Sequence, residues 1–329
     1  MSAESCPSVS VVTATIGRPA NLRALVPSVL SDPWVRHFVV VVDGDEPETI
    51  AMLDKMASSE PRLVVGRVPG LGQLHALDQG AAMTDADVLL LLDDDVLPMP
   101  GLAKAHADRH RCRDDLVVAG SMPVEVPARG AHIGTLLYAS DYGSYIESLE
   151  AGEFDVLDRL WMGNISIRRQ RCIEIGLTSG EFAAWYHSDR DLGLRLADAG
   201  LVGVYDATLR AVHRHRRSDR AVLAVAEHRA RALALLHSVH PALGTFDGTC
   251  FSQDLPRGLR ELVRVLGRGS IARPISRSLL FGAALTGKMG LCATRLALGR
   301  LARRLMLVRG SNAAGRSPAA DLDSALLKA

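Results

Sequence analysis

The chain has 329 residues, 48% hydrophobic and only 4% aromatic, with a formal net charge of +1. That apolar content supports a substantial core and excludes a disordered protein. The scarcity of aromatics argues against base-stacking nucleic-acid platforms, and the near-neutral total shows no overall bias towards polyanions.

Ser8 to Thr15 is β-branched and apolar, which predicts a first strand. Gly17-Arg18-Pro19 breaks it, and apolar residues at helical spacing follow from Asn21 to Leu30. Val35 to Val42 predicts a second strand ending at Asp43-Gly44-Asp45, with a helix from Glu46 to Ser58. Arg62 to Val68 predicts a third strand, and the turn Pro69-Gly70-Leu71-Gly72 leads into a helix from Gln73 to Met83. Ala86 to Leu92 predicts the fourth strand. Strand and helix alternate with short breaks, the pattern of a largely parallel sheet with helices on both faces. Beyond Pro98 the regularity fades. Leu116 to Pro127, Trp161 to Arg168 and Gly203 to His213 suit strands; Arg190 to Gly200 and Ala221 to His237 suit helices.

The five cysteines (Cys6, Cys112, Cys172, Cys250, Cys292) form no CxxC pair, which fits a reducing compartment and argues against a disulfide scaffold or zinc knuckle. Met1 to Ser5 lacks the basic start and apolar core of a signal peptide. No stretch reaches the ~20 uninterrupted apolar residues of a membrane span. Ser278 to Leu298 comes nearest and contains Lys288 and Arg295.

The most informative segment is the fourth strand. Val88-Leu89-Leu90-Leu91-Leu92 shows no alternation, as in the buried centre of a sheet, and Asp93-Asp94-Asp95 follows at once. Ligands of open α/β sheets bind at the carboxyl ends of strands. Strand alternation would point Asp93 and Asp95 one way and Asp94 the other. Hard oxygen ligands packed this closely suit Mg²⁺ or Mn²⁺ bridging to a substrate phosphate; an acidic helix start or a solvated turn is the plain alternative.

Several segments in order resemble family 2 glycosyltransferases of the GT-A fold. They are Val11-Val12-Thr13-Ala14-Thr15-Ile16-Gly17-Arg18-Pro19, the strand ending in Asp43, Gly70-Leu71-Gly72 with Ala76 and Gly80, and Asp93-Asp94-Asp95. Gly163-Asn164-Ile165-Ser166-Ile167-Arg168-Arg169, His187-Ser188-Asp189-Arg190-Asp191-Leu192 and His213 follow. The resemblance covers roughly Val9 to His215. It implies a nucleotide-diphospho-sugar transferase fold, a mostly parallel central sheet flanked by helices, with a C-terminal helical extension. The catalytic domain would span 1–220, its nucleotide-sugar half about 8–100 and its acceptor half about 101–220. Residues 221–310 would form a basic helical extension and 311–329 a disordered tail.

The resemblance also implies roles. Thr13, Thr15, Arg18, Asp43, Gly72, Asp93 and Asp94 would contact the donor nucleotide. Asp95, Asp93 and His213 would hold the divalent cation, although His213 also reads as a plain histidine beside His215. Asp43 would face a uracil-like base, or simply serve the Asp-Gly turn. Asp189 would be the general base of an inverting transfer, worth roughly 10²–10⁴ in rate. Asp191 is its rival, but its spacing also suits an i,i+4 pair with Arg195. The family's usual Glu-Asp pair is Ser188-Asp189 here. Trp161, Gly163, Asn164 and Trp185 fall on the acceptor or sugar side, where each tryptophan could equally be core. A dinucleotide fingerprint at Gly70-Leu71-Gly72 is rejected, because His75 stands where the third glycine belongs and the motif follows the third strand.

From Pro256 to Gly310 there are twelve Lys or Arg against one acid, Glu261. Arg257, Arg260, Arg264, Arg268, Arg273, Arg277, Arg300, Arg303 and Arg304 lie among apolar residues, a pattern suited to an anionic membrane surface or to a soluble helical cap. The sequence therefore predicts an inverting, Mg²⁺- or Mn²⁺-dependent glycosyltransferase, cytoplasmic or at the inner face of the cell membrane. A UDP- or dTDP-sugar is favoured as donor, and the acceptor is a hydroxyl on a glycan, lipid or secondary metabolite. No nucleic-acid partner is expected. The alternatives are a non-catalytic GT-A-like binding or scaffold module, or a sugar nucleotidyltransferase.

Overall fold

A computed structural model describes residues 6–128, 130–180, 182 and 186–313, and the chain forms two compact units. One takes in the residues up to Glu125 and Gly143–His215; the other takes in Val126–Tyr142 and the chain from Arg216. The segment Val126–Tyr142, assigned from sequence to the acceptor half, therefore packs with the C-terminal helices instead. Trp185 and the tail from residue 314 lie outside the described residues.

The first unit is built on one eight-stranded sheet of order β3-β2-β1-β4-β7-β6-β8-β5. Its opening strands are β1 (Val9–Thr15), β2 (Val35–Asp43), β3 (Leu63–Val68) and β4 (Val88–Leu92), joined by helices α1 (Pro19–Leu30), α2 (Pro47–Ala57) and α3 (Gln73–Ala82). These four strands are parallel, as the βαβ alternation requires. Every residue of β4 is buried, which explains the unbroken apolar run. Beyond β4 the sheet also takes in antiparallel pairings. β7 (Asn164–Arg168) runs antiparallel to both β4 and β6 (Leu116–Ser121). β8 (Val202–His213) is parallel to β6 and antiparallel to the short edge strand β5 (Val96–Pro98).

Four elements had no clear sequence signal: β5, α4 (Leu102–Arg109), α5 (Ile133–Glu150), which carries glycine at 134 and 143, and the short α6 (Arg169–Ile175). Helix α4 lies against β7 through a buried polar group. His106 Nδ1 and His110 Nε2 each lie 2.8 Å from Ser166 Oγ, and His106 Nε2 lies 3.0 Å from Asn164 Oδ1. Both rings are fully buried. Burial favours the neutral imidazole, so His106 is lowered to about 3 and His110 to about 4. An unfolded chain takes up protons near the ordinary histidine value; the folded one cannot until these lower values are reached. The stabilisation is thus complete above about pH 6.5 and is lost as pH falls towards 4. At ~1.4 kcal/mol per unit, acidification to pH 4 should cost on the order of 5 kcal/mol. Denaturant titrations at pH 7 and pH 4 check this, and His106→Gln should flatten the difference.

The second unit holds the first turns of α5 with α8 (Asp219–Val239), α9 (Arg257–Arg268), α10 (Ala272–Lys288) and α11 (Cys292–Asn312). Ser218 caps α8, its Oγ accepting from Ala221 N. Its core gathers Ile133, Leu137, Val222, Ala226, Leu280, Ala302 and Met306. Gly310 lets α11 approach α8 closely, since an added Cβ would lie 2.3 Å from the Glu227 carbonyl. Several of the basic residues are paired with acids of the same unit. The buried Glu227 carboxylate is met by Arg231 and Arg273 at 2.9 Å and Arg309 at 3.5 Å. Arg303 forks onto Asp141 at 2.6 and 3.0 Å.

Candidate active site

β4 stops at Leu92, and Asp93-Asp94-Asp95 forms a turn closed by Val96 N donating to the Asp93 carbonyl at 3.1 Å. The expected strand alternation of the three carboxylates therefore does not hold. Asp94 and Asp95 both reach Arg18, at 2.9 and 3.6 Å, while Asp93 accepts from Gln73 Nε2 at 2.7 Å. A turn redirects each side chain independently, and long-range partners decide the outcome.

Asp94 is buried and anchored. Thr15 Oγ1, at the carboxyl end of β1, donates to its Oδ2 at 2.6 Å, and Arg18 Nη1 donates to its Oδ1. Asp95 faces the end of β8. His213 Nε2 lies 3.0 Å from Asp95 Oδ1, and His215 Nδ1 lies 3.6 Å from Oδ2. The β5–β8 pairing, with Val96 opposite His213, brings them together. Burial alone would raise the Asp95 carboxyl, but His213 above all, with His215 and Arg18, outweighs it and holds the group well below the usual carboxylate range. Asp93 is pushed up to about 6 by burial and by the neighbouring Asp95 charge.

Gly163 makes room for Asp93. Its φ of +121° suits glycine, and an added Cβ would sit 2.9 Å from Asp93 Oδ2 and 2.8 Å from Met122 Sδ. Asn164 is spent on the fold: its amide donates to the carbonyls of Ser121 and Leu209, and its oxygen meets His106. Trp161 is half-buried, its ring centroid 5.2 Å from that of Tyr145. Thr13 is fully buried within β1, and its Oγ1 has no hydrogen-bond partner among the described residues.

Asp43 holds a loop other than its own Asp-Gly turn. Its oxygens accept from the backbone N–H of Leu71 and Gly72, each at 2.9 Å, clamping the loop that opens α3. Gly72 itself has φ +103°.

Asp189 and Asp191 form a second group, on α7 (Ser188–Asp198). His187 precedes the helix with φ +70°, the one non-glycine positive φ among the described residues. Asp189 is partly buried in the first turn. Asp191 is fully buried and pairs with Arg195 Nε at 3.1 Å; Arg195 also donates to the carbonyls of Gly176 and Leu177 at 2.8 Å. The i,i+4 pairing expected from the spacing is the one observed.

Two residues of the site were missed from sequence. Gln73 gave no signal. His215 had one: two positions after His213, it falls on the same side of an extended chain. Asp95, His213 and His215 offer ligand atoms within 4.8 Å of one another, a donor set of one carboxylate and two imidazoles that fits a divalent transition-series cation.

The family model described as Glycosyl transferase family 2 matches residues 10–166, from β1 through Asp93-Asp94-Asp95 to Ser166 in β7. A relative, the uncharacterized glycosyltransferase YfnE of Bacillus subtilis (strain 168), is 23% identical over 228 residues, 55% of this chain; the chain spans 58% of that relative's length. The solved mannosyltransferase PcManGT from Pyrobaculum calidifontis, in complex with GDP-Man and Mn²⁺, has a TM-score of 0.53 at 14% identity, covering 90% of this chain and 86% of its own. GalNAc-T7 with UDP, GalNAc and Mn²⁺ has a TM-score of 0.51 at 14% identity, covering 78% of this chain and 54% of its own. The mixed sheet flanked by helices has the GT-A fold of these two solved glycosyltransferases, and residues 10–166, from β1 into β7, match the family 2 glycosyltransferase model.

Proposed function

We propose that this protein transfers a sugar, with inversion, from a nucleotide diphosphate sugar to a hydroxyl acceptor. The observation that carries the reading is the Asp94-Asp95 turn at the end of β4, held between Arg18 and the His213–His215 pair. Arg18 offers positive charge to the diphosphate, and Asp94 with Thr15 sets its position. Asp95, His213 and His215 would hold the divalent cation. When bound, that cation supplies Lewis-acid neutralisation of the charge growing on the leaving diphosphate. Asp189 takes the proton of the acceptor hydroxyl as its oxygen bonds to the anomeric carbon and the bond from that carbon to the diphosphate oxygen breaks. Asp43 shapes the nucleotide end of the site through the 69–72 loop, and the family resemblance favours a UDP- or dTDP-linked donor. The two solved relatives hold GDP-Man and UDP, each with Mn²⁺, which supports a nucleotide-sugar donor without choosing the base. No helix among the described residues is long and apolar enough to cross a membrane. A glycan, lipid or metabolite hydroxyl presented at the inner face of a membrane suits the basic C-terminal unit.

A thermal-shift screen of UDP-, dTDP- and GDP-sugars, with and without Mn²⁺, tests this. A donor at 100 times its Kd should stabilise the fold by about 2.7 kcal/mol, and only when Mn²⁺ is present. A shift from GDP-sugars alone would reassign the base; no metal-assisted shift from any donor would sink the reading.

A further inference from the structure

Helix α10 is apolar on two opposite sides. Ala272, Ser276, Leu280 and Ala283 are buried against the rest of its unit. On the other side Phe281 is 68% exposed, Leu285 45% and Met289 71%. Spaced by four, they form one stripe along the helix and its C-cap. Arg277 and Lys288 lie on the same stripe, four residues before and seven after Phe281, and both are exposed. Neither makes an ion pair among the described residues, whereas Arg273, Arg303, Arg304 and Arg309 of the same unit are matched to Glu227, Asp141 and Asp254. α10 contains no acid. α9 is similar but not free of acids: Leu259, Leu262 and Val265 are exposed at a spacing of three, with exposed Arg257 and Arg268 at the helix ends, and its one acid, Glu261, is paired with Arg264 at 2.9 Å.

We infer that these faces of α9 and α10 form a docking surface for an anionic lipid bilayer, with Phe281, Leu285 and Met289 entering the headgroup boundary. Apolar side chains alone would suit many partners. The cations bracketing them select a negatively charged one, and a helix this short and this charged lies in an interface rather than crossing it. Self-association through α10 is disfavoured, because a two-fold contact would set Arg277 and Lys288 of one copy against those of the other. The inference goes beyond sugar transfer and does not depend on it.

Flotation of the full chain with vesicles tests it. The vesicles are phosphatidylcholine alone or mixed with phosphatidylglycerol, at low and high salt. The protein should float with the anionic vesicles at low salt and release at high salt. Arg277→Gln combined with Lys288→Gln should weaken binding roughly thirtyfold, at about fivefold per lost cation. Phe281→Ser should weaken it by about tenfold or more. Both variants should keep the melting temperature, since these side chains support no packing. Equal recovery with neutral and anionic vesicles would overturn the inference. So would no flotation with either, or a dimer by light scattering that Phe281→Ser dissolves while vesicle binding is absent. The nucleotide-sugar thermal shift, measured on the same preparations, reports on the catalytic reading separately.

Discussion

Replacing Asp95 with alanine is expected to abolish cation-assisted nucleotide uptake and to lower sugar transfer by about a thousandfold. Asp95 is met by both histidines and by Arg18. Without it two imidazoles remain, too few to hold a divalent ion against water. Lewis-acid stabilisation of a leaving diphosphate is worth several kcal/mol, and each ~1.4 kcal/mol is tenfold in rate. Calorimetry with Mn²⁺ and the donor nucleotide measures uptake, and product formation measures turnover. Thr15 and Arg18 still hold Asp94 in the variant, so the turn should survive, and an unchanged melting temperature would show that it does. Should Asp95→Ala keep Mn²⁺-assisted nucleotide affinity, the assignment of the cation to this turn is wrong.

Asp189→Asn is expected to lower turnover by roughly 10²–10⁴ while leaving donor affinity intact, the signature of a lost general base. The neighbouring Asp191 supplies the contrast. It is fully buried and tied to Arg195, so Asp191→Asn breaks a buried ion pair and should cost about 3 kcal/mol of stability. Donor affinity, turnover and denaturant midpoint, measured on both variants, separate the roles. Wild-type turnover in Asp189→Asn would remove it as the base. Unchanged stability with abolished turnover in Asp191→Asn would transfer the role to that residue.

The first half of the fold was legible because its signals are local. Alternating strands and helices up to Leu92 are punctuated by Gly and Pro, and the structure reproduces each element to within about two residues, the usual uncertainty at element ends. Beyond Pro98 the elements take their identity from distant partners. β5 is three residues long and exists because it pairs with β8. α5 begins among the C-terminal helices and ends in the sheet-bearing unit, so no single amphipathic pattern describes it. The reversal at β7, which makes the sheet mixed, likewise leaves no mark in hydrophobic periodicity.

The sequence by itself determined the chemistry available: a buried apolar strand delivering three carboxylates, a histidine downstream, an aspartate at the start of a late helix, and a basic C-terminal region. Only the tertiary structure decided how that chemistry is shared out. It turned Asp94 towards Thr15 and Arg18, joined Asp95 to His213 and His215, gave Asp43 to the loop amides of Leu71 and Gly72, and enclosed Asp191 with Arg195. The reason is physical. Composition and periodicity are properties of neighbouring residues, but the direction of a side chain in a turn is set by hydrogen bonds and charges that folding brings from far along the chain.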